Sequence, residues 1–333
     1  MTLMVSMSEV RRHLVMKEMI DQMEAGFIAF ANGEVEMPQR IRLTVVGGRG
    51  YGAFMPCYMP THGLGIKINT NFKENPSCYG LPRILGLLIL LDTATGMPLA
   101  IMDSTVITAC RTAAVSGVAM RHLARADAET LGVLGTGTLC LPHIQAASAV
   151  RPIRSVRVYS PHLSMRQEEF ARAAQGVVDT TVEIANSAEE VVADADILVT
   201  CTSSEAPVLD GRWIPQNACV IAVGNARPNS RELDTLTIIR SSIVCDSWKT
   251  CILESGDLLI PLAEGSINDN KVKLDLGSIL QGNERGKVCS GIVLFKSVGL
   301  AFEDLIAMHY VYTKVTACGN GTSFDFFDFS AHA

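Results

Sequence analysis

The chain has 333 residues, of which 48% are hydrophobic and 19% charged, with 27 glycines and a formal charge of −6. That length and apolar content suit one large or two moderate packed domains and exclude a disordered tail or a fibre. The acidic balance, with an isoelectric point near 5.7, excludes a nucleic-acid partner, because backbone binding needs a clustered positive surface.

The opening MTLMVSMSEVRRHLV interrupts its apolar residues with Ser6, Ser8, Glu9, Arg11 and Arg12, so it lacks the apolar core of a secretory signal. The longest nearly unbroken apolar stretch, residues 84–91, has eight residues, where a membrane-spanning helix needs about 20. We therefore expect a cytoplasmic protein with no membrane partner. The ten cysteines lie far apart, and the closest pair, Cys245 and Cys251, does not have the spacing of zinc ligands. The seven histidines are equally scattered, so no metal is expected.

In chain order, apolar residues at Met16, Met19, Ile20, Met23, Phe27 and Phe30 mark one face of a helix, closed by Asn32-Gly33. Its methionine-rich stripe reads as core. Strand-like runs follow at 41–46, 51–58, 64–70, 84–91 and 98–103. Connections as short as GGRG at 47–50 and TATG at 93–96 suit antiparallel neighbours, since parallel pairing needs a crossover of about a dozen residues. GGRGYG is not a Walker loop, because no Gly-Lys-Ser/Thr follows it.

From about residue 105 helices and strands alternate: helix 108–125, strand 131–135, helix 139–150, strand 155–160, helix 165–174, strand 182–184, helix 188–193, then strands at 197–201, 219–223 and 243–246. The predicted fold class is α/β, a doubly wound parallel (Rossmann) sheet joined to an α+β domain with a mostly antiparallel sheet. An amphipathic helix at 299–314 is expected to fold back onto the first domain. Residues 1–112 plus 300–333 would then form a discontinuous substrate domain, and 113–299 the dinucleotide domain.

LGVLGTGTLC at 131–140 carries the strongest local signal. A strand runs into Gly135-Thr136-Gly137-Thr138 and a helix follows, so backbone amides at the helix N-terminus face an anion such as a diphosphate. Cys140 replaces the usual third Gly or Ala, and it is small enough to keep helix and strand close. The next strand, SVRVYS, should end beside the adenine ribose, where an NAD site places a carboxylate. Here the chain reads Tyr159-Ser160-Pro161 with His162 and Arg166 after it. Hydroxyl and cation in place of a carboxylate predict NADP(H) as the preferred cofactor, with Ser160 and Arg166 on the 2′-phosphate and NAD(H) as the alternative.

Arg40 follows Met37-Pro38-Gln39, Lys67 interrupts the apolar strand Leu64-Gly65-Ile66-Lys67-Ile68, and Arg111 lies near the start of the helix leading into the second domain. Three cations converging on a cleft would fit a carboxylate-bearing substrate, since arginine offers paired donors and lysine a point charge.

Over roughly residues 10–315 the chain resembles the ornithine cyclodeaminase and mu-crystallin family. The matching stretches are MPQR at 37–40, LGIK at 64–67, LLDTATGMPLAIMD at 90–103, TACRTAAVSGVAMRHLAR at 108–125, LGVLGTG at 131–137, ADILVTCTSSEAPVL at 195–209, AVGNARPNSRELD at 222–234 and FKSVGLAFEDL at 295–305. The resemblance implies a homodimer built through the N-terminal sheet, and further cofactor contacts at Thr202, Ser203 and Val223. It also implies catalytic roles for Arg40, Lys67 and Arg111, which grip a substrate carboxylate or lie at the reacting carbon. Asp304 falls in the C-terminal matching stretch, near the nicotinamide or as a helix cap, and is left out of the catalytic set.

Ornithine cyclodeaminases carry an aspartate where this chain has Ala226, and alanine can neither accept a proton nor pair with a cation. The loop is instead similar to that of ketimine reductases of the family. The expected activity is NADPH-dependent reduction of an imine carboxylate, a cyclic ketimine such as Δ1-pyrroline-2-carboxylate or Δ1-piperideine-2-carboxylate, to the L-amino acid. The alternatives are ornithine cyclisation with release of ammonia, reductive amination of a 2-oxo acid, or a protein that only binds cofactor.

Overall fold

A computed structural model describes residues 1–161, 170, 172–174, 176–178, 180–282 and 291–327. In chain order its main elements are β1 (Thr2–Val5), α1 (Met7–His13), α2 (Met16–Ala31), β2 (Ile41–Thr44), β3 (Gly50–Met59), β4 (Gly63–Phe72), α3 (Asn75–Tyr79), β5 (Ile84–Leu91), β6 (Pro98–Asp103) and α4 (Ser104–Leu123). There follow β7 (Thr130–Leu134), α5 (Cys140–Val150), β8 (Ser155–Tyr159), β9 (Val182–Ile184), α6 (Ala188–Val192), β10 (Ile197–Thr200), β11 (Cys219–Ala222), α7 (Thr235–Arg240) and β12 (Ser241–Cys245). The last are α8 (Trp248–Glu254), α9 (Gly256–Ala263), α10 (Leu276–Leu280), β13 (Ile292–Lys296), α11 (Ala301–Ala317) and β14 (Thr322–Phe324). Internal contacts group Met1–Val15, Asn32–Arg111 and the chain from Ala301 into one compact unit, and Met16–Ala31 with Thr112–Leu300 into another.

The first unit is built on a seven-stranded sheet of order β14-β1-β6-β5-β4-β3-β2, antiparallel except where β1 runs parallel to β6. Strand side chains alternate between faces. Ala53, Met55, Cys57 and Met59 of β3, Leu88 and Leu90 of β5, and Ala100 and Met102 of β6 are therefore buried together. Helix α11 covers this face over β3, β4 and β5. The predicted strands 84–91 and 98–103 have the observed bounds of β5 and β6, and the predicted C-terminal helix is α11.

The second unit holds a parallel sheet of order β12-β13-β11-β10-β7-β8-β9, a doubly wound arrangement whose strand order reverses between β7 and β10. Strands covered on both faces read as continuous apolar runs, and every residue of β10, β11 and β13 is buried. Helix α2 buries Met19, Ile20, Met23 and Phe27, so its stripe is core as its period predicts. Its neighbours, however, are α5 and α10, not the sheet that follows it in sequence. Among the described residues no helix is long and apolar enough to cross a membrane.

Candidate active site

Lys67 sits mid-strand in β4, opposite Met55 of β3 and Leu88 of β5, and is only 4% exposed. An ammonium in such an apolar row needs a partner, and α11 supplies it. The Nζ of Lys67 donates to Asp304 Oδ1 at 3.1 Å. Arg111 of α4 donates through Nε to the same oxygen at 3.0 Å and pairs through its terminal nitrogen with Glu303. Asp304 Oδ2 is buried without a hydrogen-bond partner in the protein. Arg40, partly buried, is close enough for its charge to act on Lys67. Two buried cations, with Arg40 nearby, thus gather at the Asp304 and Glu303 carboxylates.

The electrostatics follow from burial. Removal from water, reinforced by the Arg111 charge, lowers the Lys67 pKa to about 8, while Asp304 opposes the shift. Burial alone would raise the Asp304 carboxyl, but Arg111 and Lys67 outweigh it and hold it below the ordinary carboxylate range. Burial pushes the Cys57 thiol up to about 12, with Asp304 adding to the effect, so Cys57 is an inert thiol beside the cluster.

In the second unit, β7 ends at the glycine loop. Gly135 adopts φ +106°, and a Cβ there would meet Cys201 O at 2.9 Å, so this turn requires glycine. Its N–H donates to Tyr159 O at 2.9 Å. Beyond it Thr136 is half-buried, Gly137 and Thr138 are exposed, and a Cβ on Gly137 would meet nothing within 4 Å. This open cradle leads into the eleven-residue helix α5 and fits a dinucleotide diphosphate. Thr202, Ser203 and Val223 follow β10 and β11 on the same carboxyl edge, where open α/β sheets bind their ligands. Ser160 follows β8 and is partly buried. His162 and Arg166 lie outside the described residues.

Of the three cations expected to converge, Lys67 and Arg111 meet at one carboxylate. The residue that joins them is Asp304, which the sequence alone does not mark as catalytic. Its local signal, an acidic pair Glu303-Asp304 in the first turn of a helix, reads equally well as charge complementing the helix dipole.

A doubly wound sheet with an open glycine loop at its switch point, in one chain with a buried cation cluster on an antiparallel sheet, defines the class of dinucleotide-dependent oxidoreductases. The model of the ornithine cyclodeaminase/mu-crystallin family matches residues 1–319. The chain is 33% identical over 331 residues to a Delta(1)-pyrroline-2-carboxylate reductase of Bacillus cereus, covering 97% of this chain and all of that enzyme. It is also 33% identical over 313 residues to the ketimine reductase mu-crystallin of Rattus norvegicus, covering 92% and 96% of the two chains. Among solved structures, Thermococcus litoralis Delta(1)-pyrroline-2-carboxylate reductase in complex with NADH and L-proline superimposes with a TM-score of 0.93 at 35% identity, covering 97% and 100%. An archaeal alanine dehydrogenase dimer with bound NAD gives 0.90 at 28% identity, covering 98% and 99%. The chain belongs to the ornithine cyclodeaminase/mu-crystallin family, on its imine-reductase side.

Proposed function

We propose that this protein is an NADPH-dependent reductase that converts a cyclic ketimine carboxylate, Δ1-pyrroline-2-carboxylate or Δ1-piperideine-2-carboxylate, to the L-amino acid. The observation that carries the reading is the sharing of Asp304 Oδ1 by Lys67 and Arg111, which holds two buried cations side by side. Arg111 and Arg40 grip the substrate carboxylate. Lys67, with a pKa near 8, holds a proton at Nζ for the imine nitrogen and regains it from solvent, as a general acid poised near neutral pH does. Asp304 orients both cations and offsets their charge. Gly135, Thr136, Gly137 and Thr138 cradle the diphosphate, Ser160 and Arg166 meet the 2′-phosphate, and Thr202, Ser203 and Val223 line the rest of the cofactor site. The bound dinucleotide supplies the hydride, and fixing reactants in attack geometry contributes on the order of 7–11 kcal/mol.

The working form in this reading is a cytoplasmic homodimer. Supporting the dimer is the sheet face opposite α11, where Ile41, Phe54, Ile68 and Leu87 lie in one cross-strand row, with Ile41 and Leu87 more than half exposed. An uncovered apolar face of this kind marks an interface. Supporting the cytoplasm are the nine described cysteines, all free thiols, as a reducing compartment keeps them.

The test is to assay the purified protein with NADPH and with NADH against both cyclic ketimines, pyruvate plus ammonia, and ornithine. We expect dinucleotide oxidation with the ketimines, faster with NADPH. Ammonia release from ornithine without net NADPH consumption would overturn the reading. Arg111→Ala should lower kcat/KM by at least about tenfold, since a charge-assisted hydrogen bond is worth about 1.5–3 kcal/mol; unchanged kinetics would remove Arg111 from the site.

A further inference from the structure

Among the charged side chains that the second unit buries and the proposed reaction does not use, Glu232, Asp257 of α9 and Lys296 of β13 form one cluster, each fully removed from solvent. Glu232 takes the N–H of Thr202 on one oxygen at 2.6 Å and the N–H of Gly224 on the other at 2.8 Å. Those amides belong to the loops after β10 and β11, adjacent strands of the parallel sheet. The loops touch so closely that a Cβ on Gly224 would lie 2.3 Å from Thr202 N. Asp257 Oδ1 in turn accepts from the N–H groups of Glu232 and Leu233 at 2.7 and 2.9 Å, and its Oδ2 pairs with Lys296 Nζ at 2.8 Å. Lys296 also donates to Asn225 O at 2.9 Å, and Asn225 Nδ2 bridges to Ser204 O at 2.7 Å.

Buried charges of this kind are costly, and apolar groups of similar volume often replace them without loss of stability. What apolar groups cannot do is hold two backbone amides from different loops at fixed angles. We propose that Glu232 is a positioning residue for the dinucleotide, clamping the Thr202 and Gly224 loops so that Thr202, Ser203 and Val223 present a preorganised edge to it. The inference rests on the cofactor reading above. Asp257 and Lys296 orient the clamp, one through the Glu232 backbone and the other through Asn225.

Glu232→Gln keeps the shape but leaves one acceptor oxygen for two N–H donors, so one loop is released. Titrating each purified protein with NADPH and NADH, followed by nucleotide fluorescence without substrate, should show Kd raised at least about tenfold in E232Q, the equivalent of one charge-assisted hydrogen bond. The KM for the dinucleotide should rise in parallel, while the KM for the ketimine stays close to wild type. E232D, which keeps the charge, should recover part of the affinity. Asn225→Ala removes the second bridge, together with the long 3.4 Å bond that Arg227 Nε donates to Asn225 Oδ1, and should raise the same Kd by about threefold, a fraction of a full hydrogen bond. If wild type binds the nucleotide and E232Q and N225A bind it within twofold of wild type, the clamp is overturned while the cofactor reading stands. A parallel rise in both KM values with a lowered thermal midpoint would reduce Glu232 to a structural role and overturn it too. Wild-type protein that binds neither nucleotide would overturn the cofactor reading itself, and the clamp with it.

Discussion

Lys67 is held near neutrality by opposing influences, burial and the Arg111 guanidinium pushing its pKa down to about 8 and Asp304 pushing it up. The sign of the resulting pH dependence follows. Below about 8 the ammonium is present and can serve the imine nitrogen; above it the amine predominates and the proton is gone. The kcat/KM for the ketimine should therefore fall as pH rises through about 8, approaching tenfold per pH unit, and a profile flat from pH 7 to 10 would exclude Lys67 as the proton source. Asp304→Asn should shift this limb to lower pH, because removing the nearest negative charge further disfavours the ammonium. At this scale the sequence made Lys67 conspicuous as a cation inside an apolar strand. Asp304 was not conspicuous, since its partner lies 237 positions away and no local pattern encodes that distance.

At the scale of elements, alternation and turn residues located β5 and β6 to the residue, because apolar runs bounded by Pro or Asp leave few choices of end. Strand β13 has the same apolar character, yet it was not predicted. A run of four or five apolar residues cannot be assigned to strand or buried helix by period alone. What secures its end is tertiary: Asp246, just beyond β12, accepts from Ser297 Oγ and from the N–H groups of Val298 and Gly299 at 2.8 Å each, and from Ser247 N–H at 2.7 Å. Asp246→Ala strands these buried donors, at about 1–3 kcal/mol for each left unsatisfied. We expect the urea midpoint of unfolding to drop by the equivalent of at least about 3 kcal/mol; a loss below about 1 kcal/mol would mean that water takes over the carboxylate's role.

For the whole molecule, the uncovered row Ile41, Phe54, Ile68 and Leu87 is the feature with the largest consequence. Sedimentation should give twice the 35.8 kDa of one chain. Placing carboxylates in that row, as in the double variant Ile68→Asp and Leu87→Asp, should give a monomer that keeps its far-ultraviolet circular dichroism. A wild-type monomer at micromolar concentration would dismiss the interface. The sequence by itself determined the periodicities, and through them the two architectures, the glycine loop and the three cations, because helix and strand spacing and turn chemistry are local properties. Only the tertiary structure decided that α2 packs with α5 and α10, that Lys67 and Arg111 share Asp304, and that Glu232 spans two loops. Those are pairings between distant residues, selected by the free-energy penalty of leaving a buried charge or an apolar face without a partner, and that penalty exists only once the chain has folded.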